Sequence, residues 1–212
     1  IWGEEKGLDE TKVPDCISLI KEVLSTEKTQ VSFICLGGMS TVSLAVKEIP
    51  LFKQQVKEII WSSNGPNDKK HFNYQIDVPA AEKVMKGDIP VKSVTGFDNE
   101  IFYNEVTIKA ISEIQSIYAE KNSGFFKSDI AGNHEYSYSA TDEMVPLYLH
   151  YPGLFQHDSI ADDFMCPAEN ISLLRENTLK ILSGETVAKN QVIKVFPTDP
   201  AFYSADVEPF VT

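Results

Sequence analysis

The 212-residue sequence predicts an α/β fold, a mainly parallel sheet with helices on both faces. Three observations lead there. Strand-like segments recur at 31–36, 57–62 and 89–94, the first of them with the continuous apolar character of a buried strand. Segments with apolar residues at helical spacing stand between them. Cap and turn chemistry marks the junctions, so strands and helices alternate, which implies right-handed crossovers in a single sheet.

Residues 12–24 place Cys16, Ile17, Ile20, Val23 and Leu24 on one stripe with Lys21 and Glu22 outside it, the pattern of an amphipathic helix. A polar connection from Ser25 to Gln30 leads into VSFICL, the first strand. A Gly37-Gly38 turn follows, and Ser40 or Thr41 caps a helix carrying Val42, Leu44, Ala45 and Val46 that stops before Pro50. The second strand, 57–62, runs into the turn-rich surface loop NGPNDKK. Asp77 is the expected N-cap of the next helix, with Pro79 in its first turn and an end at Gly87. IPVKSV is the third strand, and a long helix is expected around 105–120. Residues 122–140 mix Gly, Ser, Asn and aromatics without a period, which predicts a long loop or lid. Helix and strand resume over 168–182, and the Pro-punctuated tail reads as an extended segment. No repeat or internal boundary is visible, so 1–212 is expected to form one domain.

Composition narrows the function. Thirty-one acidic residues against 19 basic ones leave a formal charge of -12. A surface of that sign opposes nucleic acid, whose binding needs clustered Lys and Arg. No apolar run is long enough to span a bilayer. Cys16, Cys35 and Cys166 lack metal-type spacing and read as buried free thiols, although an odd number also allows a thiol paired with another chain. Asn170-Ile171-Ser172 is a glycosylation triplet, a slight pointer to secretion. The Gly-Gly turn lacks both the dinucleotide fingerprint and the phosphate-loop Lys, so nucleotide cofactors are disfavoured. In an open parallel sheet the ligand lies beyond the carboxyl ends of the strands, here Gly37–Thr41 and Trp61–Asn73.

Segments 31–93 and HDSIADDFMCP at 157–167 together resemble the nucleoside hydrolases, calcium-dependent enzymes that cleave the N-glycosidic bond of ribonucleosides. Leu36-Gly37-Gly38-Met39-Ser40-Thr41 is similar to the family's Leu-Gly-Pro-Leu-Thr-Asn turn, whose Thr lends a carbonyl to calcium. The resemblance gives that role to Ser40. Trp61 stands at the Met position that lines the ribose site, with Ser62-Ser63 in place of two glycines. His71-Phe72-Asn73 matches Glu-Phe-Asn, which makes Asn73 the holder of ribose hydroxyls and puts His71 where the family's Glu binds the 5′ end of the sugar. His157-Asp158 matches the pair in which the Asp binds calcium and the His lies near the leaving base. On this resemblance Asp158 and Ser40 are metal ligands, His157 is the acid that protonates the base, and Asn73, Trp61 and His71 contact substrate.

Plainer readings stand beside these. A His-Asp pair is ordinarily a cap or a surface pair, Asn73 is also a turn former, and Trp61 is equally a core residue. Asp162-Asp163 reads as capping or solvating a helix, and His134-Glu135 as surface.

The resemblance covers most of residues 1–195. It includes Ile1–Leu8, where Trp2 replaces a His, and, more loosely, Ser183–Thr186. The family's amino-terminal Asp-rich strand, with its general base and most calcium ligands, has no counterpart in the sequence. Because that strand lies inside the family's sheet, a second polypeptide, the amino-terminal fragment of a cleaved precursor, is expected to complete the fold. The completed unit is expected to be a homo-oligomer. Two functions follow: calcium-dependent hydrolysis of a small-molecule nucleoside or related N-riboside by that assembly, or an inactive relative with a binding, storage or structural role. The substitutions at Trp2, Trp61, Ser62-Ser63 and His71 favour the second, whereas Asn73, His157 and Asp158 favour the first.

Overall fold

The computed structural model describes residues 15–96, 102–131 and 140–184. Expectations for Ile1–Leu8, His134-Glu135, Glu185-Thr186 and the tail fall outside them. Five strands, β1 (Val31–Cys35), β2 (Val56–Ser62), β3 (Val91–Val94), β4 (Gln156–Asp158) and β5 (Asp163–Met165), form a sheet in the order β1-β2-β3-β5-β4. Ile59 N–H donates to Pro90 O and Ser63 N–H to Val94 O, so β2 and β3 advance together and are parallel. β3 and β5 are parallel, with Ser93 opposite Asp163. β4 pairs antiparallel with β5. The α/β expectation therefore holds, and the antiparallel strand β4 lies at one edge of the sheet.

The described chain divides into two compact units, 15–59 with 72–91 and 60–71 with 92–184. In the first, helices α1 (Cys16–Thr26), α2 (Ser40–Glu48), α3 (Phe52–Gln55), α4 (Phe72–Ile76) and α5 (Val78–Met85) accompany β1. Asp15 caps α1, its carboxylate accepting from Ser18 N–H at 2.8 Å. Ile20 and Leu24 of the predicted stripe are buried, and both α1 and α5 pack on α2. Phe52 is wholly buried against Phe33, ring centroids 5.3 Å apart. Burying one such ring stabilises the unit by about 2–3 kcal/mol. Cys16 is only half-buried, whereas Cys35 and Cys166 are buried, and all three are free thiols. Burial also pushes the Cys166 thiol up to about 11, as expected of a packing residue.

The second unit corrects four local expectations. The helix around 105–120 is two helices, α6 (Glu105–Glu113) and α7 (Ile117–Ala131). Ser116 makes the break: its hydroxyl accepts from Ala119 N–H at 3.1 Å and donates to Leu182 O, capping a new helix instead of continuing the old one. Residues 122–131 extend α7 although they had read as loop, because Ser123 and Gly124 weaken a helix without blocking it as Pro would. Helix α8 (Met144–His150) follows, and then a hairpin of β4 and β5 that the sequence had not suggested. Asp162, at φ 57, makes its turn, and Asp163 is buried on β5 rather than solvating a helix. Finally, 168–183 holds no strand: a 3₁₀ turn leads into α9 (Ile171–Ser183), which ends at Gly184 with φ 82.

Candidate active site

In the first unit the carboxyl end of β1 turns tightly into α2. A Cβ on Gly38 would lie 2.5 Å from Ile76 Cγ2, so this close approach of backbone to α4 requires glycine. Ser40 Oγ donates to Asp77 Oδ2 at 2.7 Å, while Asp77 Oδ1 accepts from Ala80 N–H at 3.0 Å. One carboxylate thus caps α5, as expected, and also ties down the start of α2. Asn73 is buried, and its Nδ2 donates to Leu36 O at 3.2 Å. Ser40 and Asn73 therefore both brace the turn that follows β1.

In the second unit the carboxyl end of β2 is packed tightly. Trp61 is 0% exposed, and Ser62 and Ser63 are each 1% exposed. The loop after Ser63 is shaped by Asp68, which accepts from Asn64 Nδ2 at 3.1 Å and from Lys70 N–H at 3.0 Å. Those bonds hold the Asp68 carboxyl below its ordinary range. The same loop presents His71 within the fields of Asp68 and Asp142. Burial lowers the imidazole's pKa against both of those charges.

Asp142, just before α8, was not anticipated. Its carboxyl is hydrogen-bonded to the Ser62 side chain and lies near His71. It is open to solvent, yet enough protein surrounds its carboxyl to raise its pKa. Beside it, burial raises Glu143, which is hydrogen-bonded to Tyr103 and faces the Asp142 charge, and burial raises the Tyr103 hydroxyl as well. The only sequence signal was an acidic pair, Asp142-Glu143, opening an apolar helix.

His157 and Asp158 lie on β4 in the same unit. The His157 Nε2 is 2.9 Å from Asp162 Oδ1, and its ring lies 5.0 Å from that of Phe164. Asp158 Oδ1 accepts from Ile160 N–H at 2.7 Å and Ala161 N–H at 3.1 Å, which lowers its pKa and stabilises the hairpin turn. Asn170 Nδ2 donates to Leu154 O at 3.0 Å, so the amide of the glycosylation triplet is engaged within the fold. Among the described residues no three His, Cys, Asp or Glu side chains converge on one point, and no helix is long and apolar enough to cross a membrane.

This architecture is a nucleoside-hydrolase-like fold. Similar solved structures include the inosine-uridine preferring nucleoside hydrolase of Bacillus anthracis, with TM-score 0.53, 12% identity, and coverage of 77% of this chain and 66% of that one. The type III effector XopQ, solved with adenosine diphosphate ribose, gives TM-score 0.50 and 14% identity over 79% and 63% of the two chains. The effector XOO4466 gives 0.51 and 16% over 79% and 64%. The chain thus spans slightly less than two thirds of each structure, and at these identities the likeness is one of fold. No protein-family model and no curated protein matches the sequence.

Proposed function

We propose that this chain is the carboxy-terminal portion of a ribohydrolase that cleaves the N-glycosidic bond of a nucleoside or related N-riboside. The observation that carries the reading is the group of Asp142, Ser62 and His71 at the carboxyl end of β2, on a fold shared with a nucleoside hydrolase. A carboxyl with a raised pKa takes up a proton more readily, and a neutral imidazole beside it can donate or accept a hydrogen bond to a sugar hydroxyl. Asp142 is the proposed proton-carrying carboxyl, a role distinct from the calcium ligation that the resemblance assigned to Asp158. Asp158 stands as the second candidate, with one oxygen committed to its turn. His157, oriented by Asp162, is the proposed acid toward the departing base. Within the first unit Ser40 and Asn73 brace the β1 turn, and within the second Trp61 packs in the core.

Calcium tests how much of the site is here. A hard cation of that size takes six to eight oxygens, roughly, several of them carboxylate. Among the described residues no group of three His, Cys, Asp or Glu side chains supplies such a shell. The proposed assembly receives the remaining donors from an amino-terminal portion, carried by a second chain, which pairs with the edge strand β1. A homo-oligomer of that completed unit is part of the same proposal.

Mass spectrometry and denaturing electrophoresis of material purified from its source test the assembly. Two co-purifying polypeptides support it, and one monodisperse species of 1–212 refutes it. Release of free base from ribonucleosides by the calcium-loaded assembly, lost in Asp142→Asn, supports hydrolysis. No release from any common nucleoside favours the second reading, an inactive relative that binds rather than cleaves. The departures at Trp61, Ser62-Ser63 and His71 from the family's residues carry that alternative.

A further inference from the structure

Among the described residues, three buried side-chain oxygens of the second unit have no hydrogen-bond partner: Ser63 Oγ, Ser93 Oγ and Asp163 Oδ1. Their residues are 1%, 2% and 4% exposed, so bulk water does not reach them. They also share one face of the sheet. Ser93 and Asp163 are register partners on parallel strands, about 5 Å apart at Cα. Ser63 donates its N–H to Val94 O, which sets it beside Thr95 on the face that Ser93 also occupies. Thr95 joins the group, its hydroxyl lying against the Ser63 carbonyl at 3.3 Å and against Asp163 Oδ2. The chain closes over the neighbouring space two residues on from Ser63 and two before Asp163. A Cβ on Gly65 would lie only 2.2 Å from Ala161 O, and Asn67 Nδ2 donates to Ile160 O at 3.1 Å.

A buried carboxylate with one neutral hydroxyl for company is costly unless a positive charge meets it. Among the described residues no Lys, Arg or His pairs with Asp163. We propose that Asp163 Oδ1, Ser63 Oγ and Ser93 Oγ hold one monovalent alkali cation, of the sodium or potassium class. One carboxylate balances one charge, and hydroxyl oxygens complete a hard-donor set. A divalent ion would demand more carboxylates than this pocket supplies. The site is structural: it ties β3 and β5 to the residue that follows β2 and is separate from the proposed calcium shell.

Thermal unfolding of the full chain in NaCl, KCl and choline chloride at equal ionic strength tests the site. Saturable stabilisation by Na⁺ or K⁺ over choline is expected, with a Tm rise of roughly 5–11 °C at a hundredfold excess over Kd. ²³Na line broadening, displaced by the preferred ion, should report the same occupancy. Asp163→Asn, similar in shape and uncharged, should abolish the ion dependence. If that variant does not fold, Ser93→Ala should raise the half-saturating concentration several-fold. Identical Tm in all three salts, or an ion dependence unchanged in both variants, would overturn the proposal.

Discussion

Gly65 and Gly184 share a backbone conformation, both at φ 82, and differ in what surrounds them. Replacing either by Ala places a side chain in the left-handed region, at a cost of roughly 1–2 kcal/mol. At Gly184 nothing lies within 4 Å of the new Cβ, so that strain is the whole penalty. At Gly65 the Cβ meets Ala161 O at 2.2 Å, and it must retreat by 0.8 Å to reach 3.0 Å, below which real Cβ contacts essentially never fall. Both contacting groups are backbone, so the move pulls the 64–71 loop from the hairpin turn. It also threatens the bond from Asn67 to Ile160 O, worth about 1 kcal/mol. Gly65→Ala should therefore cost about 3 kcal/mol, roughly 6–12 °C in Tm for a chain of this size. Gly184→Ala should cost about 1 kcal/mol, roughly 2–4 °C. Urea and thermal unfolding of the two variants side by side measure the difference. Equal losses in the two would refute the close approach of loop and hairpin, and with it the placement of His71.

Other perturbations probe the site and its supports. Asp77→Ala removes both the cap of α5 and the acceptor of Ser40, so it should lose about 2 kcal/mol in urea unfolding, against about 1 kcal/mol for Ser40→Ala. His71 has a folded pKa below its ordinary 6.5. The folded state therefore resists protonation, and the contribution is full above 6.5, falls as pH drops through it, and levels off below the folded value. His71→Gln should flatten the pH dependence of Tm over that window, and an unchanged slope would exclude the burial assigned to the ring. If the assembly is active, Asp142→Asn should reduce kcat by at least about a hundredfold, whereas Asp158→Asn should act mainly on stability through its turn. A larger activity loss at Asp158 than at Asp142 would refute the catalytic role proposed for Asp142.

The strands and caps that local chemistry dictates were legible in the sequence. Segments 31–36 and 57–62 read as strands and fold as Val31–Cys35 and Val56–Ser62, and Asp77 read as a cap with Pro79 in the first turn. These depend on neighbours within one turn or one strand, and sequence records such neighbours directly. Ser116 ends a helix only because Leu182 O waits for its hydroxyl, 66 positions further along. Asp163 looks like a surface acid until its strand pairs with β3 and Ser93 comes opposite it. Asp142 becomes a site candidate only when Ser62 and His71 gather beside it from other parts of the chain. Side-chain chemistry at short range belongs to the sequence. Which distant groups share a desolvated space, and hence which carboxyl is perturbed or left without a partner, was decided by the packing of the sheet.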